Sequence, residues 1–351
     1  MDRMPVILDV DTGVDDALAL LLACRCPMLE VLAVTCVHGN IGVDAVVENT
    51  LRVLDAAGAR ADLPVAGGFG EPLVQPAQHC PEIHGKDGLG DLSPPLPPSP
   101  RKARPEHAVQ LLNDTLRESS RPVTVLALAP LTNIAIAIRT EPKLWRSKLT
   151  RLVWMGGAVA VGGNATAWSE ANAAYDPEAA HMVLTSGLPL LMYPWDVFLK
   201  LSYTKLELSL WGDPDLEAEA DASAAAAAAP RSAASEAVAA AAASGAASSL
   251  LARRLLQREL RYFETTEAMI GDAGTVAAVV CGDALTVRRL HVTVELQGTH
   301  TRGMTVCDLR AFSHPPDKPQ LPPNADVVTD IDAAALKAVF SRFVLDAGGT
   351  K

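Results

Sequence analysis

Short β-branched apolar runs that alternate with helix-patterned segments constrain this chain most. "PVILDV" precedes "DDALALLLACR", "LEVLAVTCV" precedes "VDAVVENTLRVLDAAG", "PVTVLAL" precedes "LTNIAIAIRT", and "LTRLVWMGG" precedes "DPEAAHMVLTSG" and "LPLLMYPWDV". Strands separated by helices cannot pair as tight hairpins. They must lie parallel, joined by right-handed crossovers, with helices covering both faces of the sheet. The expected fold class is therefore α/β, a mostly parallel central sheet flanked by helices, open and Rossmann-like. With 351 residues and 49% hydrophobic content, the chain can bury a sizeable core, and we read residues 1–351 as a single domain. In such sheets ligands gather beyond the carboxyl ends of the strands.

Two stretches break the alternation. "SPPLPPSPRKARP" (93–105) reads as an extended, solvated connector. The Ala/Ser-rich stretch at 216–249, which contains Pro230 and Gly245, reads as an inserted low-complexity segment, partly helical or disordered, in a tolerated loop expansion.

The first strand runs into "DVDTGVDD", which places Asp9, Asp11, Asp15 and Asp16 within eight positions at the rim where ligands belong. Helix capping accounts for one such acid but does not need four. An aspartyl phosphatase strand ending in DxDx[TV] fits Asp9 and Asp11, yet Gly13 stands where Thr or Val should be and the later acidic pair is missing. An EF-hand lacks its closing Glu. Clustered carboxylates repel one another unless a cation neutralises them, and oxygen-only ligands suit a hard divalent ion. The loops "VHGN", "ALAPLTN" and "MGGAVAVGGNATAWSEAN" should converge on the same rim.

Composition removes several other partners. A net charge of -11 leaves no cationic excess for a nucleic acid polymer. No apolar run is long enough to span a bilayer and no leader segment is recognisable, so a cytoplasmic enzyme with no membrane partner is expected. Six cysteines are scattered without a CxxC pair, and are expected to be reduced and mostly buried.

With these motifs in place, the chain resembles the calcium-dependent nucleoside hydrolases, the inosine-uridine type N-ribohydrolases. "DVDTGVDDALAL", "VHGN", "IHGKDGLG", "LAPLTNIA", "MGGAVAVGGNATAWSEANAAYDPEAA" and "TRGMTVCD" carry the resemblance in the family's order, over nearly the whole chain outside the Ala-rich segment. The resemblance implies hydrolysis of a small-molecule nucleoside to base and ribose, with Ca²⁺ as cofactor, in a homodimer or homotetramer. It implies Asp11, Asp16, the Leu128 carbonyl and Asp272 as calcium ligands, with Asp11 as general base and Asp9 as structural support. Asp15 would bind a ribose hydroxyl, Asn164, Glu170 and Asn172 the 3′ and 5′ side, and Met155 would line the sugar pocket. Asn40 would orient the attacking water, and His84 would lie close to the base.

His38 and Trp168 are read as packing residues, although Trp168 could also stack on a purine. Gly271 departs from the family pattern, in which many members place a proton-donating His before the last metal-binding Asp. Pyrimidines lack the N7 that a purine can protonate, so the gap favours purine nucleosides, with His84, Tyr262 or Trp168 as compensating groups. A calcium-dependent nucleoside-binding protein without turnover is the alternative reading, and the retained Asp11 argues against it.

Overall fold

The computed structural model describes residues 2–212, 233–310 and 321–346. In chain order these form β1 (Met4–Val10), α1 (Val14–Arg25), β2 (Leu29–Cys36), α2 (Val43–Ala56), β3 (Val65–Gly67), α3 (Pro81–His84), α4 (Ala108–Glu118), β4 (Val123–Ala127), α5 (Thr132–Thr140), α6 (Pro142–Lys148), β5 (Leu149–Met155), α7 (Ala171–Tyr175), α8 (Pro177–Leu184), β6 (Leu190–Tyr193), α9 (Trp195–Phe198), β7 (Ser202–Thr204) and α10 (Lys205–Ser209). There follow α11 (Ala233–Tyr262), β8 (Glu267–Met269), α12 (Asp272–Val280), β9 (Leu285–Leu290), β10 (Val292–Val294), β11 (Thr305–Cys307), β12 (Ala325–Ile331) and α13 (Ala333–Phe340).

The main sheet has eight strands in the order β3-β2-β1-β4-β5-β6-β12-β9, all parallel except the edge pair β12 and β9. This is the α/β fold expected from the alternating pattern. Strand β1 is central, so it is apolar toward both faces. Val6, Leu8 and Val10 enter the core beneath α1, α2, α11 and α12, while Ile7 enters the core beneath α4, α5, α6 and α8. The two-residue period of a strand produces this split.

Chain order runs outward from β1 to β3 in one direction, then restarts beside β1 and runs through β4, β5 and β6 in the other. The crossover connections on either side of β1 and β4 therefore diverge, leaving a crevice beyond their carboxyl ends. Asp11 follows β1 and Leu128 follows β4, and the Leu128 amide donates to the Asp9 carbonyl at 2.9 Å. Helix α1, buried on almost every face, packs against α12. Their first turns carry Asp15, Asp16 and Asp272.

Residues 216–232 of the low-complexity stretch lie outside the described residues. The rest of it, to 249, is not a loop: it forms the first half of α11 and joins the body at its end. Ser248 Oγ donates to the Ala56 carbonyl at 2.9 Å and Ser249 Oγ to the Leu345 carbonyl at 2.7 Å, and both serines are buried. Small residues allow the close approach that composition alone reads as low complexity. Excising 216–249 as a unit is expected to lower Tm by several degrees, because two buried hydrogen bonds of about 1 kcal/mol each go with it. Calorimetry checks this, and an unchanged Tm would show that the contacts are dispensable.

Candidate active site

Asp9 anchors the rim from inside β1. Its Oδ1 accepts from Thr35 Oγ1 at 2.6 Å and Asn133 Nδ2 at 2.9 Å, while Oδ2 is buried without a partner. Burial raises its pKa to about 7 against these hydrogen bonds. The expected supporting role matches this placement.

Two residues on, the chain leaves the strand. Asp11 Oδ2 accepts from the Asn40 amide at 2.8 Å, and a Cβ on Gly39 would fall 1.8 Å from that oxygen, so only glycine fits there. Asp16 accepts from the Asp11 amide at 3.3 Å, the Gly13 amide at 2.9 Å and Asn40 Nδ2 at 3.1 Å. It therefore caps α1 as well as facing the rim. Asn40, expected to orient water, spends its backbone and side-chain N–H groups on Asp11 and Asp16.

Carboxylate oxygens of Asp15, Asp16 and Asp272 lie within 4.8 Å of one another. Two oxygens each about 2.4 Å from one Ca²⁺ stand up to about 5 Å apart, so the spacing suits a hard cation. This close trio contains Asp15 where the resemblance implies Asp11, whose Oδ2 is turned to the Asn40 amide. Burial first, then neighbouring acids, hold Asp11 and Asp272 well above the usual carboxylate range and raise Asp16 to about 7. Among the described residues no Lys or Arg forms an ion pair with Asp11, Asp15, Asp16 or Asp272, and Asp15 Oδ1 is buried without a hydrogen-bond partner. The acids fit a divalent cation because no Lys or Arg among the described residues is paired with them to compensate their charge.

The far wall comes from β5 and α7. Asn172 Nδ2 donates to the Leu128 carbonyl and the Met155 carbonyl, both at 3.0 Å, tying the ends of β4 and β5 together. Glu170 caps α7, accepting from the amides of Asn172 at 2.9 Å and Gly157 at 2.6 Å, and burial raises it to about 7. Asn164 is placed differently: it is exposed, and its Oδ1 accepts from the Ala171 amide at 2.8 Å. In this structure it closes its own loop. Trp168, read as packing against its loop, is 51% exposed. His38 is buried, with Nε2 2.9 Å from Thr132 Oγ1.

His84 ends α3 beside this cluster. Its Nδ1 accepts from the Val14 amide at 3.1 Å, which leaves the ring proton on Nε2, and burial lowers its pKa. The 3.8 Å approach of Nδ1 to Asp15 is consequently not an ion pair in this neutral tautomer.

A profile of the family described as "Inosine-uridine preferring nucleoside hydrolase" matches residues 6–338. The chain belongs to that family. It is a nucleoside N-ribohydrolase family enzyme, and calcium dependence is a family property. Similar curated proteins include "Pyrimidine-specific ribonucleoside hydrolase RihA" of Salmonella arizonae, 34% identical over 337 residues, and that of Citrobacter koseri, 35% identical over 334 residues; each match covers 94% of both chains. Among solved structures, the purine-preferring ribonucleoside hydrolase from Gardnerella vaginalis superposes with a TM-score of 0.79 at 27% identity, covering 98% of this chain and 99% of that one. An inosine-guanosine nucleoside hydrolase gives 0.78 at 28%, covering 97% and 99%.

Within this hydrolase site, Gly271 is more than a missing histidine. Its φ of 54° is left-handed, and a Cβ there would fall 2.3 Å from Asp15 Cβ. No side chain fits without moving Asp15. Sequence reading also passed over Cys80, whose Sγ donates to Asn40 Oδ1 at 3.4 Å, and over Arg258 and Glu259 of α11, which no motif marks. Glu259 accepts from the Met269 amide at 3.0 Å, just before Asp272.

Two outcomes follow for the site. Gly271→His is expected to depress turnover of purine and pyrimidine nucleosides alike, by about tenfold or more, since a small displacement of a positioned group is costly; selective improvement on pyrimidines would contradict the steric account. For the metal-free protein, raised acids bind more protons folded than unfolded between about 4, the usual carboxylate value, and about 7. Stability in chelator should thus fall as pH rises through this window, and calcium should reverse the loss. Thermal scans across pH with and without calcium test both halves, and Asp16→Asn should flatten the calcium response.

Proposed function

We propose that this hydrolase cleaves the N-glycosidic bond of ribonucleosides to free base and ribose with Ca²⁺ as cofactor. The observation that carries this reading is the convergence of Asp11, Asp15, Asp16 and Asp272, with no Lys or Arg among the described residues paired to them, beyond β1 and β4 in a member of this family. Asp16 and Asp272 would hold the ion, with Asp15, Asp11 and the Leu128 carbonyl completing an all-oxygen set. Calcium, when bound, supplies a compact positive charge that gathers oxygen ligands and makes water more acidic.

The remaining steps belong to the chain. Cleavage leaves positive charge on the ribose as the bond to the base lengthens, and the buried carboxylates favour that state over the neutral substrate. Asp15 would accept from a ribose hydroxyl. Glu170, Asn172, Asn164 and Met155 would line the side away from β1, although Asn164 must leave its hydrogen bond to Ala171 to reach the sugar. Asp11 would take the proton from the attacking water, held in orientation by the Asn40 amide. No covalent carboxylate intermediate is needed.

His84 would serve the departing base through its Nε2–H. A neutral imidazole keeps its Nε2 proton, but the hydrogen bond it donates suits a pyrimidine, which has no N7 to protonate, leaves as the anion and takes its proton from water. Together with the named specificity of the relatives at 34% and 35% identity, this favours uridine and cytidine over inosine, and departs from the purine expectation drawn from Gly271. A homodimer or homotetramer in the cytoplasm remains the proposed setting; among the described residues no helix is long and apolar enough to cross a membrane.

A panel of uridine, cytidine, inosine, adenosine and guanosine, assayed for free ribose with calcium and with chelator, tests the reading. Ribose release that needs calcium and a higher kcat/KM for uridine than for inosine are expected. Binding without ribose release would support a nucleoside-binding protein instead. Preference for inosine would remove the role given to His84 in selecting the base.

A further inference from the structure

We infer that Arg258 of α11 is a positioning residue for His84, holding the loop that carries it from both sides. The inference rests on the reading of His84 as donor to the leaving base. Arg258 Nη1 donates to the Ile83 carbonyl and Nε to the Gly90 carbonyl at 3.2 Å. These two acceptors bracket His84, and the Gly90 amide donates to the His84 carbonyl at 2.7 Å, closing the loop on itself.

Gly90 has a φ of 80°, and a Cβ there would stand 3.0 Å from Arg258 Cδ, so the glycine leaves room for the arginine to enter. One turn along α11, the Tyr262 ring lies 4.3 Å from the guanidinium carbon and backs it. One turn earlier, Arg254 Nη2 donates to the Pro94 carbonyl at 2.6 Å. The far side of the histidine is fixed as well, since its Nδ1 accepts from the Val14 amide at the start of α1.

The choice of arginine has a physical reason. A guanidinium is a rigid fork with donors at fixed angles and can hold two carbonyls at once, whereas a lysine ammonium is a single flexible point. Glu259, the next residue, holds the Met269 amide of the strand that leads into Asp272. Adjacent side chains on α11 thus tie the helix to the His84 loop on one side and to the segment bearing a candidate calcium ligand on the other. The donor at the base and the acids at the ribose are kept in register through one helix.

The test uses the full-length calcium-loaded enzyme and the faster of uridine and inosine. Arg258→Met should lower kcat by about 10- to 100-fold, as expected for misplacing a reacting group, with KM and calcium affinity little changed. Arg258→Lys should resemble Arg258→Met, because the fork is lost although the charge remains. In a His84→Ala background, adding Arg258→Met should leave kcat where His84→Ala put it. Losses that multiply, or full activity in Arg258→Lys, would overturn the inference.

Should Arg258→Met fold poorly, Arg258→Gln retains a donor, and the imidazole ¹⁵N resonances of its His84 should report a weakened bond at Nδ1. Unchanged resonances alongside reduced kcat would count against a positional role. If His84→Ala alone left turnover intact, the inference would fall together with the role given to His84, while calcium-dependent ribose release by the unsubstituted enzyme would still support hydrolysis.

Discussion

Everything at the rim depends on holding Asp11, Asp15, Asp16 and Asp272 in a small volume from which water is largely excluded. Buried like charges oppose folding, which is why burial and mutual repulsion raise Asp11, Asp16 and Asp272. The fold tolerates this because the acids stand where backbone dipoles offset part of the cost. Asp15 and Asp16 open α1, Asp272 opens α12, and the two helices pack side by side. The remainder of the charge is left for a cation. The same backbone geometry makes room for the cluster: Gly39 lets Asp11 approach, and Gly271 lets Asp15 and Asp272 come together.

The sheet is the device that makes these distances reproducible. Asp9 is in register with Thr35 on one neighbour and Ala127 on the other. Its carboxyl is held by Thr35 and by Asn133, which also donates to the Cys36 carbonyl. One buried side chain therefore locks β1, β2 and α5 together immediately before the chain turns out to Asp11. A carboxylate on a flexible loop could wander by ångströms, but Asp11 departs from a central strand that is buried from Pro5 to Val10.

Much of this was legible in the sequence, and the reasons are specific. A parallel sheet writes itself as alternating periods, and β1, β2, β4, β5 and β6 all coincide with apolar runs read directly. The acid cluster was visible because three of its members, Asp11, Asp15 and Asp16, are close in sequence. Strand β12 was not, because it joins β6 across some 130 residues and nothing local signals the pairing. Asn164 looked like a ligand by motif and is turned to its own loop, since a short polar side chain in a Gly-rich turn finds a neighbouring amide first. The end of the Ala/Ser-rich stretch is helical, as the reading allowed, but its packing was hidden: serines that pack a helix closely against α2 look, in composition, like serines that pack nothing.

Gly271 shows where motif comparison and geometry part. By motif, the position lacks a histidine, and the gap invites replacement. In the structure it is a left-handed residue pressed against Asp15, so the backbone there is shaped to bring two acids together and no donor can be built at that point. The proposed donor comes instead from another element: His84 ends α3, with its tautomer set by the Val14 amide. That exchange has a structural consequence. A donor one residue from Asp272 would be held by the same helix as that candidate metal ligand, whereas His84 ends the short α3 between β3 and α4 and depends on outside support to stay in register. Arg258 and Arg254 of α11 reach the carbonyls of that loop, which places the demand for positional control on the helix that also leads into Asp272.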